Sequence, residues 1–360
     1  MSKPLGVAVA LLAVVPQLWG QASKSYSIAG NEVASYNLAG EVTIHSGSGN
    51  AVMDEVVSTG PDAGRLTVET GEVRGVPALR VIYPDDHIVY PAMGRGSNTN
   101  FTIRSDGTWG DFSDDHGRHR DEGRRITIRG DGSGLEAAAN LTITIPTGRK
   151  VGVRLGVGRM EVSNVDGTLD LDAASADVSA RGTRGGLSID TGSGNIRVES
   201  ASGKVSLDTG SGDVTVTTLT NGDLDVDTGS GSVSGSGVQA SRVSIETGSG
   251  DIRLTGIAAP QLDLETGSGS VRAELTAPIE QLSVETGSGD VTINLPDGTS
   301  ATIDLDTGSG DFSVDVPVQL LKKGEGSLQG RIGDGRGRIH IETGSGGYCV
   351  TEVRGRVGER

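Results

Sequence analysis

The chain has 360 residues, a net charge of −16, 58 glycines, 3% aromatic residues and one cysteine, Cys349. The acidic balance argues against nucleic acid and anionic membrane surfaces as partners. A lone cysteine rules out a disulfide framework, and so few aromatics rule out a large conventional core.

The first 22 residues read as a secretion signal. Lys3 supplies a short positive start, Leu5 to Val15 an apolar run of 11, and Gly20-Gln21-Ala22 a small-residue cleavage site. The run is too short to span a bilayer, and no later stretch is long enough. The expected location is therefore exported: periplasm, cell surface or medium. Residues 23–150 form an irregular β section, expected to supply the first rungs of a repeat array or to cap its exposed end. Tyr36 to Ile44 and Arg65 to Val68 alternate as strands, while His45-Ser-Gly-Ser-Gly-Asn50 and Glu69-Thr-Gly-Glu72 echo a later turn.

Within this section, residues 85–125 break the pattern. They hold three of the five histidines, eight carboxylates and six arginines. Phe101-Thr-Ile-Arg104 and Ile126-Thr-Ile-Arg129 read as two hairpin arms with a charged tip between them. Long loops on a rigid scaffold carry function more often than the scaffold does. The residues offered here as a partner contact are Tyr90, Phe101, Trp109, Phe112, His116 and His119; the plain alternative is a solvated loop.

From residue 151 to 347 one phrase, acid-Thr-Gly-Ser-Gly, dominates. It begins at Asp190, Asp208, Asp227, Glu246, Glu265, Glu285, Asp306 and Glu342, at intervals of 18, 19, 19, 19, 20, 21 and 36. A period near 19 means stacked copies of one supersecondary unit. In Gln261-Leu-Asp-Leu-Glu265, Leu262 and Leu264 alternate with acids, as in a strand with one buried face. The glycines then permit a turn of positive φ and leave no Cβ between stacked neighbours. A second short strand follows, such as Asp251-Ile-Arg-Leu254. Two such strands bury no core alone, so successive units must stack in parallel. The fold class is all-β: a parallel β-solenoid of about eleven rungs of 18–21 residues, spaced as strands are. The crossover rule favours a right-handed coil. Asp172 and Arg154 stand 18 and 36 residues before Asp190 and mark degenerate rungs; a weak rung near Gly324 would fill the 36-residue gap. Residues 348–360 form a last strand and a charged tail.

Ile143-Thr-Ile-Pro-Thr-Gly148, then Gly156-Val-Gly-Arg-Met-Glu-Val162, then Leu187-Ser-Ile-Asp-Thr-Gly-Ser-Gly-Asn-Ile196 resembles, in that order, the bacterial “putative adhesin” family of unknown function with β-strand repeats. It is also similar to autotransporter-adhesin head domains. The resemblance covers most of residues 30–347. It implies an exported β-solenoid with no established enzymatic activity, and it brings no catalytic residues. The insertion at 85–125 departs from the family pattern.

The outward columns of such a stack are where chemistry would lie. Glu246, Glu265 and Glu285 should stack one rung apart, each pair repelling by just under ~1 kcal/mol in water. A second column, Asp213, Asp251, Asp290 and Asp311, follows the turn and is interrupted by Asn195, Ser232 and Ser270. Hard carboxylate oxygens suit calcium, so these four aspartates are the candidate cation ligands, against the plainer reading of a solvated acidic face. No other cofactor is expected. A carbohydrate-active β-helix enzyme would need clustered carboxylates and aromatic platforms, yet residues 151–347 hold one aromatic, Phe312, and evenly spaced acids. No catalytic residue is therefore assigned. The reading is a non-catalytic, adhesin-like protein with a surface, envelope or glycan partner; the alternative is a cation-binding module.

Overall fold

The computed structural model describes residues 23–110 and 123–353. The chain is all-β: among the described residues the helical elements are two short 3-10 turns, Ala63–Arg65 and Pro91–Met93. It divides into two compact units, Met1–Ser193 and Gly194–Arg360. The signal read in residues 1–22 and the tail at 354–360 lie outside the described residues.

In the first unit, Arg149–Ser163 runs parallel to Gly167–Arg181, which runs parallel to Leu187–Thr191. The register places Arg154 beside Asp172 and Asp172 beside Asp190, one period of 18 per step. On its other side Arg149–Ser163 pairs in parallel with Glu32–Gly47, so that Tyr36 lies beside Arg154. The rung beyond is split. Val76–Ile82 covers one half of Glu32–Gly47 and Ala138–Pro146 covers the other, both in parallel. Antiparallel strands close this end: Thr67–Val73 on Val76–Ile82, and Val52–Thr59 on Ala138–Pro146 with Ser23–Ile28 outside it. Glu69-Thr-Gly-Glu72 thus lies in a capping strand rather than in a repeat turn.

The segment that splits the rung makes a small sheet of its own. Arg124–Arg129 pairs antiparallel with Asn98–Ile103, Phe101 opposite Ile126, and in parallel with His87–Val89. The two hairpin arms expected from the sequence are therefore partners. The tip at 111–122 lies outside the described residues.

In the second unit, strands ahead of each turn stack one above another. Val205, Leu224, Val243, Leu262 and Leu282 are successive neighbours, all buried. The next neighbour is Ile339, and only then Ile303. The last copy of the phrase in the sequence is therefore inserted between the two preceding it. Tyr348–Val353 likewise lies between Val291–Pro296 and Phe312–Asp315. The weak rung expected near Gly324 does not exist. Val318–Lys323 and Ser327–Ile332 form an antiparallel hairpin that pairs antiparallel with Ala301–Thr307 and closes the stack. The cause is visible in the residues. Gly337–Thr343 alternates buried and outward positions, as a rung requires, whereas Val318–Lys323 has no buried position.

The turns show why the phrase takes its form. Thr247 is 1% exposed. Its hydroxyl donates to the carbonyl of Gly231 in the preceding rung (2.9 Å) and accepts the N–H of Gly250 in its own turn (3.1 Å). Thr209, Thr228, Thr266, Thr286 and Thr307 make the same pair of bonds. A Cβ on Gly250 would overlap the carbonyl oxygen of Gly231, and the same holds at Gly231, Gly269 and Gly289. None of these glycines takes a positive φ. Of the two roles expected for them, close stacking is the one the structure uses.

Gly250→Ala should destabilise the protein by about 3 kcal/mol, because backbone must move to admit the methyl. Thr247→Val keeps the shape and strands a buried N–H and C=O, which should cost about 2 kcal/mol. Ser249→Ala, at the exposed corner, should stay within about 0.5 kcal/mol of the parent. Urea unfolding monitored by circular dichroism ranks the three.

Candidate functional site

In each rung of the second unit, the residue before the buried threonine points outward. The register makes these residues a continuous column: Asp208, Asp227, Glu246, Glu265, Glu285, Glu342 and Asp306. All seven are exposed. Strand spacing sets neighbours about 4.8 Å apart, and no basic or neutral residue interrupts them. Two positions earlier runs a second outward column: Ser206, Asp225, Ser244, Asp263, Ser283, His340 and Asp304. Here acids alternate with serine, and His340 Nε2 lies 3.8 Å from Glu342 Oε2.

The column after the turn is built differently. Asp213 Oδ1 accepts the backbone N–H of Ser232 (2.8 Å), Asp251 Oδ1 that of Ser270 (2.8 Å), and Asp290 Oδ1 that of Gly347 (2.9 Å). Asn195 Oδ1 serves Asp213 in the same way, and Ser232 Oγ serves Asp251. These side chains are inter-rung fasteners. The bond from Ser270 holds the Asp251 carboxyl below its ordinary range, helped by Arg253 at 2.7 Å. Asp311 flanks Tyr348, whose N–H its carbonyl accepts. Of the four candidate cation ligands, three thus use a carboxylate oxygen on the next rung. Among the described residues no three His, Cys, Asp or Glu side chains gather as a metal site.

Phe101 and Trp109 of the insertion pack on the first unit's own sheet. Trp109 is 7% exposed and stands 5.2 Å from the half-buried Phe101, while Tyr90 is half-buried. A Cβ at Gly156 would meet Phe101, and one at Gly110 would meet Arg154. Phe112, His116 and His119 lie outside the described residues. Beneath this cover is Arg154, 1% exposed, 2.6 Å from Asp170 and 3.4 Å from Asp172. Burial raises the Asp190 carboxyl, a shift that Arg154 opposes and Asp170 reinforces. Sequence reasoning assigned Arg154 no role. The signal was present, however: it occupies the phrase's acid position, with Asp172 and Asp190 at the next two periods.

Another buried group went unnoticed. Asp54 is 0% exposed and accepts a 2.6 Å bond from Ser35 Oγ. Its other oxygen has no partner, and burial pushes its pKa up to about 7.

The geometry defines the class: an all-β repeat protein of parallel stacked strands, whose outward residues form periodic columns rather than a converging pocket. The chain belongs to the Toastrack DUF4097 family, which matches residues 119–350. No curated protein matches the chain significantly. Among solved structures, a “putative cell adhesion protein” from Clostridium sporogenes ATCC 15579 is 13% identical, with 92% of this chain and 98% of that chain covered and a TM-score of 0.18. A “putative adhesin” from Bacteroides fragilis NCTC 9343 is 11% identical, with 91% and 95% covered and a TM-score of 0.33. No helix among the described residues is long and apolar enough to cross a membrane.

Asp54 gives a pH dependence of definite sign. Its folded pKa lies above the unfolded value of 3.8. Between those values the unfolded chain releases a proton that the folded chain keeps, so stability falls as pH rises from about 4 to about 7. Asp54→Asn should flatten that decline and leave the variant more stable than the parent above pH 7, by on the order of 3 kcal/mol. Thermal unfolding of both proteins at pH 4, 6 and 8 measures it; parallel curves would show that Asp54 is ionised in the fold.

Proposed function

We propose that the chain is an exported, non-catalytic interaction protein, and that the acid-columned face of residues 194–360 is its contact surface. The observation that carries the proposal is the unbroken column from Asp208 to Asp306. Like charges at strand spacing oppose folding, and the rungs pack without drawing on Glu246, Glu265 or Glu285. The neighbouring structural column shows that alternation with serine is available to this fold. A continuous acid column suits a partner with repeated cationic groups, where weak contacts summed along the stack give avidity. Export rests on the leader-like residues 1–22, and the adhesin-like character on membership of the family.

The test is adsorption of the purified chain to beads bearing a cationic polymer, an anionic polymer or neutral glycan. Binding should be confined to the cationic beads and fall steeply between 50 mM and 500 mM salt, as the screening length shortens. Glu246→Gln, Glu265→Gln and Glu285→Gln combined should weaken adsorption at least about tenfold while raising the thermal midpoint, since like charges are removed. Equal adsorption by parent and triple variant would remove this face from the proposal.

A second reading is cation binding by neighbouring pairs of carboxylates in the same column, which are hard oxygen donors one strand spacing apart, since among the described residues no three of them gather around one point. Thermal unfolding in EDTA and then in millimolar calcium separates the two readings. Preferential binding to the folded chain raises the midpoint markedly, and magnesium should do less. An unchanged midpoint leaves the face to a macromolecular partner.

A further inference from the structure

We infer that the acid column of residues 194–360 binds the outer face of the small three-stranded sheet in a second copy of this chain. The inference rests on the reading of that column as a contact surface, and it names the partner. In the small sheet Ile126 and Ile128 are 0% exposed and face inward, so Arg125, Thr127 and Arg129 face out. Register sets Thr102, Asn100 and Asn98 beside them. Two side-chain bonds run across that face: Thr127 Oγ1 donates to Asn100 Oδ1 (2.8 Å), and Asn100 Nδ2 donates to Asn98 Oδ1 (3.1 Å). Exposed His87 lies beside Thr127 in the third strand. Exposed Arg95 follows Gly94, whose carbonyl abuts Gly130 at the end of the central strand.

This face is cationic and lacks a local balance. None of its outward residues is a carboxylate. Among the described residues, the side chains of Arg95, Arg125 and Arg129 make no hydrogen bond or ion pair. Arg129 and His87 line an open depression of about 600 Å³. The two carboxylates that share it are held by other arginines, Asp85 by Arg65 at 2.8 Å and Asp86 by Arg124 at 2.9 Å. Asp131, just beyond the strand, accepts the N–H of Gly96. The arginines of this face are therefore left for a partner's anions.

The acid column supplies anions in the complementary pattern. Its carboxylates stand one rung apart, so three rungs span about 14 Å. Arg125 and Arg129 are four residues apart on one strand, about 13 Å. A strand laid along the stack thus sets the two arginines against carboxylates three rungs apart, such as Glu246 and Glu342. Thr127 and Asn100 then lie over Glu265 and Glu285, where they offer polar groups and no second negative charge. Arginine–carboxylate pairing at two fixed points sets register as well as attraction. A chain of net charge −16 repels its own copies over most of its surface, which confines self-contact to a pairing of this kind. The two faces differ, so the contact is heterologous, and every copy offers one of each.

Sedimentation equilibrium on the whole chain, 36.7 kDa, should show reversible self-association that weakens at 500 mM salt, as the screening length shortens. Arg125→Glu with Arg129→Glu should raise the dissociation constant at least about tenfold. Glu246→Gln, Glu265→Gln and Glu285→Gln combined should do the same. Neither variant should lose thermal stability, because all five side chains are exposed. Mixing decides the pairing. Each variant keeps the face that the other lacks, so the two together should form a one-to-one dimer and nothing larger. A parent that stays monomeric at its highest soluble concentration, or variants that stay apart when mixed, would overturn the inference. Adsorption of the arginine variant to cationic beads reports on the acid face alone. A monomeric parent whose arginine variant still adsorbs leaves that face to a foreign cationic partner; one whose arginine variant does not adsorb removes both readings.

Discussion

The second unit depends on one side chain repeated at one position. Thr209, Thr228, Thr247, Thr266, Thr286 and Thr307 each close their own turn by accepting a glycine N–H and fasten it to the neighbouring rung by donating to a glycine carbonyl, whereas Thr343 donates to Gly346 within its own turn. Valine would fill the same space and leave both backbone groups stranded in a dry interior, a far costlier outcome than a missing surface bond. Serine would keep the bonds but lose the stiffness that β-branching gives the side chain. Glycine completes the device. Because the second glycine has the preceding rung's carbonyl against it, the turns sit at strand spacing with no tolerance for a methyl. Pitch and register are thereby fixed together.

Fixed register converts sequence period into surface pattern. Each outward position becomes a column, and a column of like charges is tolerated or avoided residue by residue. The post-turn column is avoided: Asn195, Asp213, Ser232, Asp251, Ser270 and Asp290 all can accept or anchor a hydrogen bond, yet carboxylates recur only at every second rung. The pre-turn column from Asp208 to Asp306 shows no such alternation, although the same substitution to serine was open to it. Two columns on one scaffold thus follow different rules, and the difference is hard to assign to folding.

Much of the fold was legible in the sequence, for a physical reason. Parallel stacking pairs each residue with its equivalent one period away, so intervals of 18 and 19 give registers directly, including Arg154 with Asp172 and Asp190. Phe101 and Ile126 were legible as hairpin partners because alternation survives on both sides of a charged tip. The spatial order of the rungs was not. Leu282, Ile303 and Ile339 head nearly identical units, and identical units carry no address, so nothing local tells Ile339 to lie between the other two. The hairpin formed by Val318–Lys323 and Ser327–Ile332 takes the outermost place by pairing antiparallel with Ala301–Thr307, which leaves Gly337–Thr343 between that rung and Gln281–Thr286. Of the candidate site, the acid column was legible and the fastening role of Asp213, Asp251 and Asp290 was not, because a hydrogen bond to a neighbouring backbone leaves no mark in composition.

The first unit answers the same geometric problem with opposite chemistry. At the phrase's acid position it places Arg154, and it folds the strand Asn98–Ile103 and the loop to Gly110 over the sheet there. Covering a stacked acid column without a cation would bury several carboxylates with no partner, at a cost of several kcal/mol each. Arg154 makes the cover possible by binding Asp170 and Asp172 from within. Where acids stand without such an arginine, as from Asp208 to Asp306, no insertion of comparable kind can settle on the face. The face is then kept open by its own charge. On the function proposed above, what closes on this face brings the cations that the first unit supplies from within through Arg154.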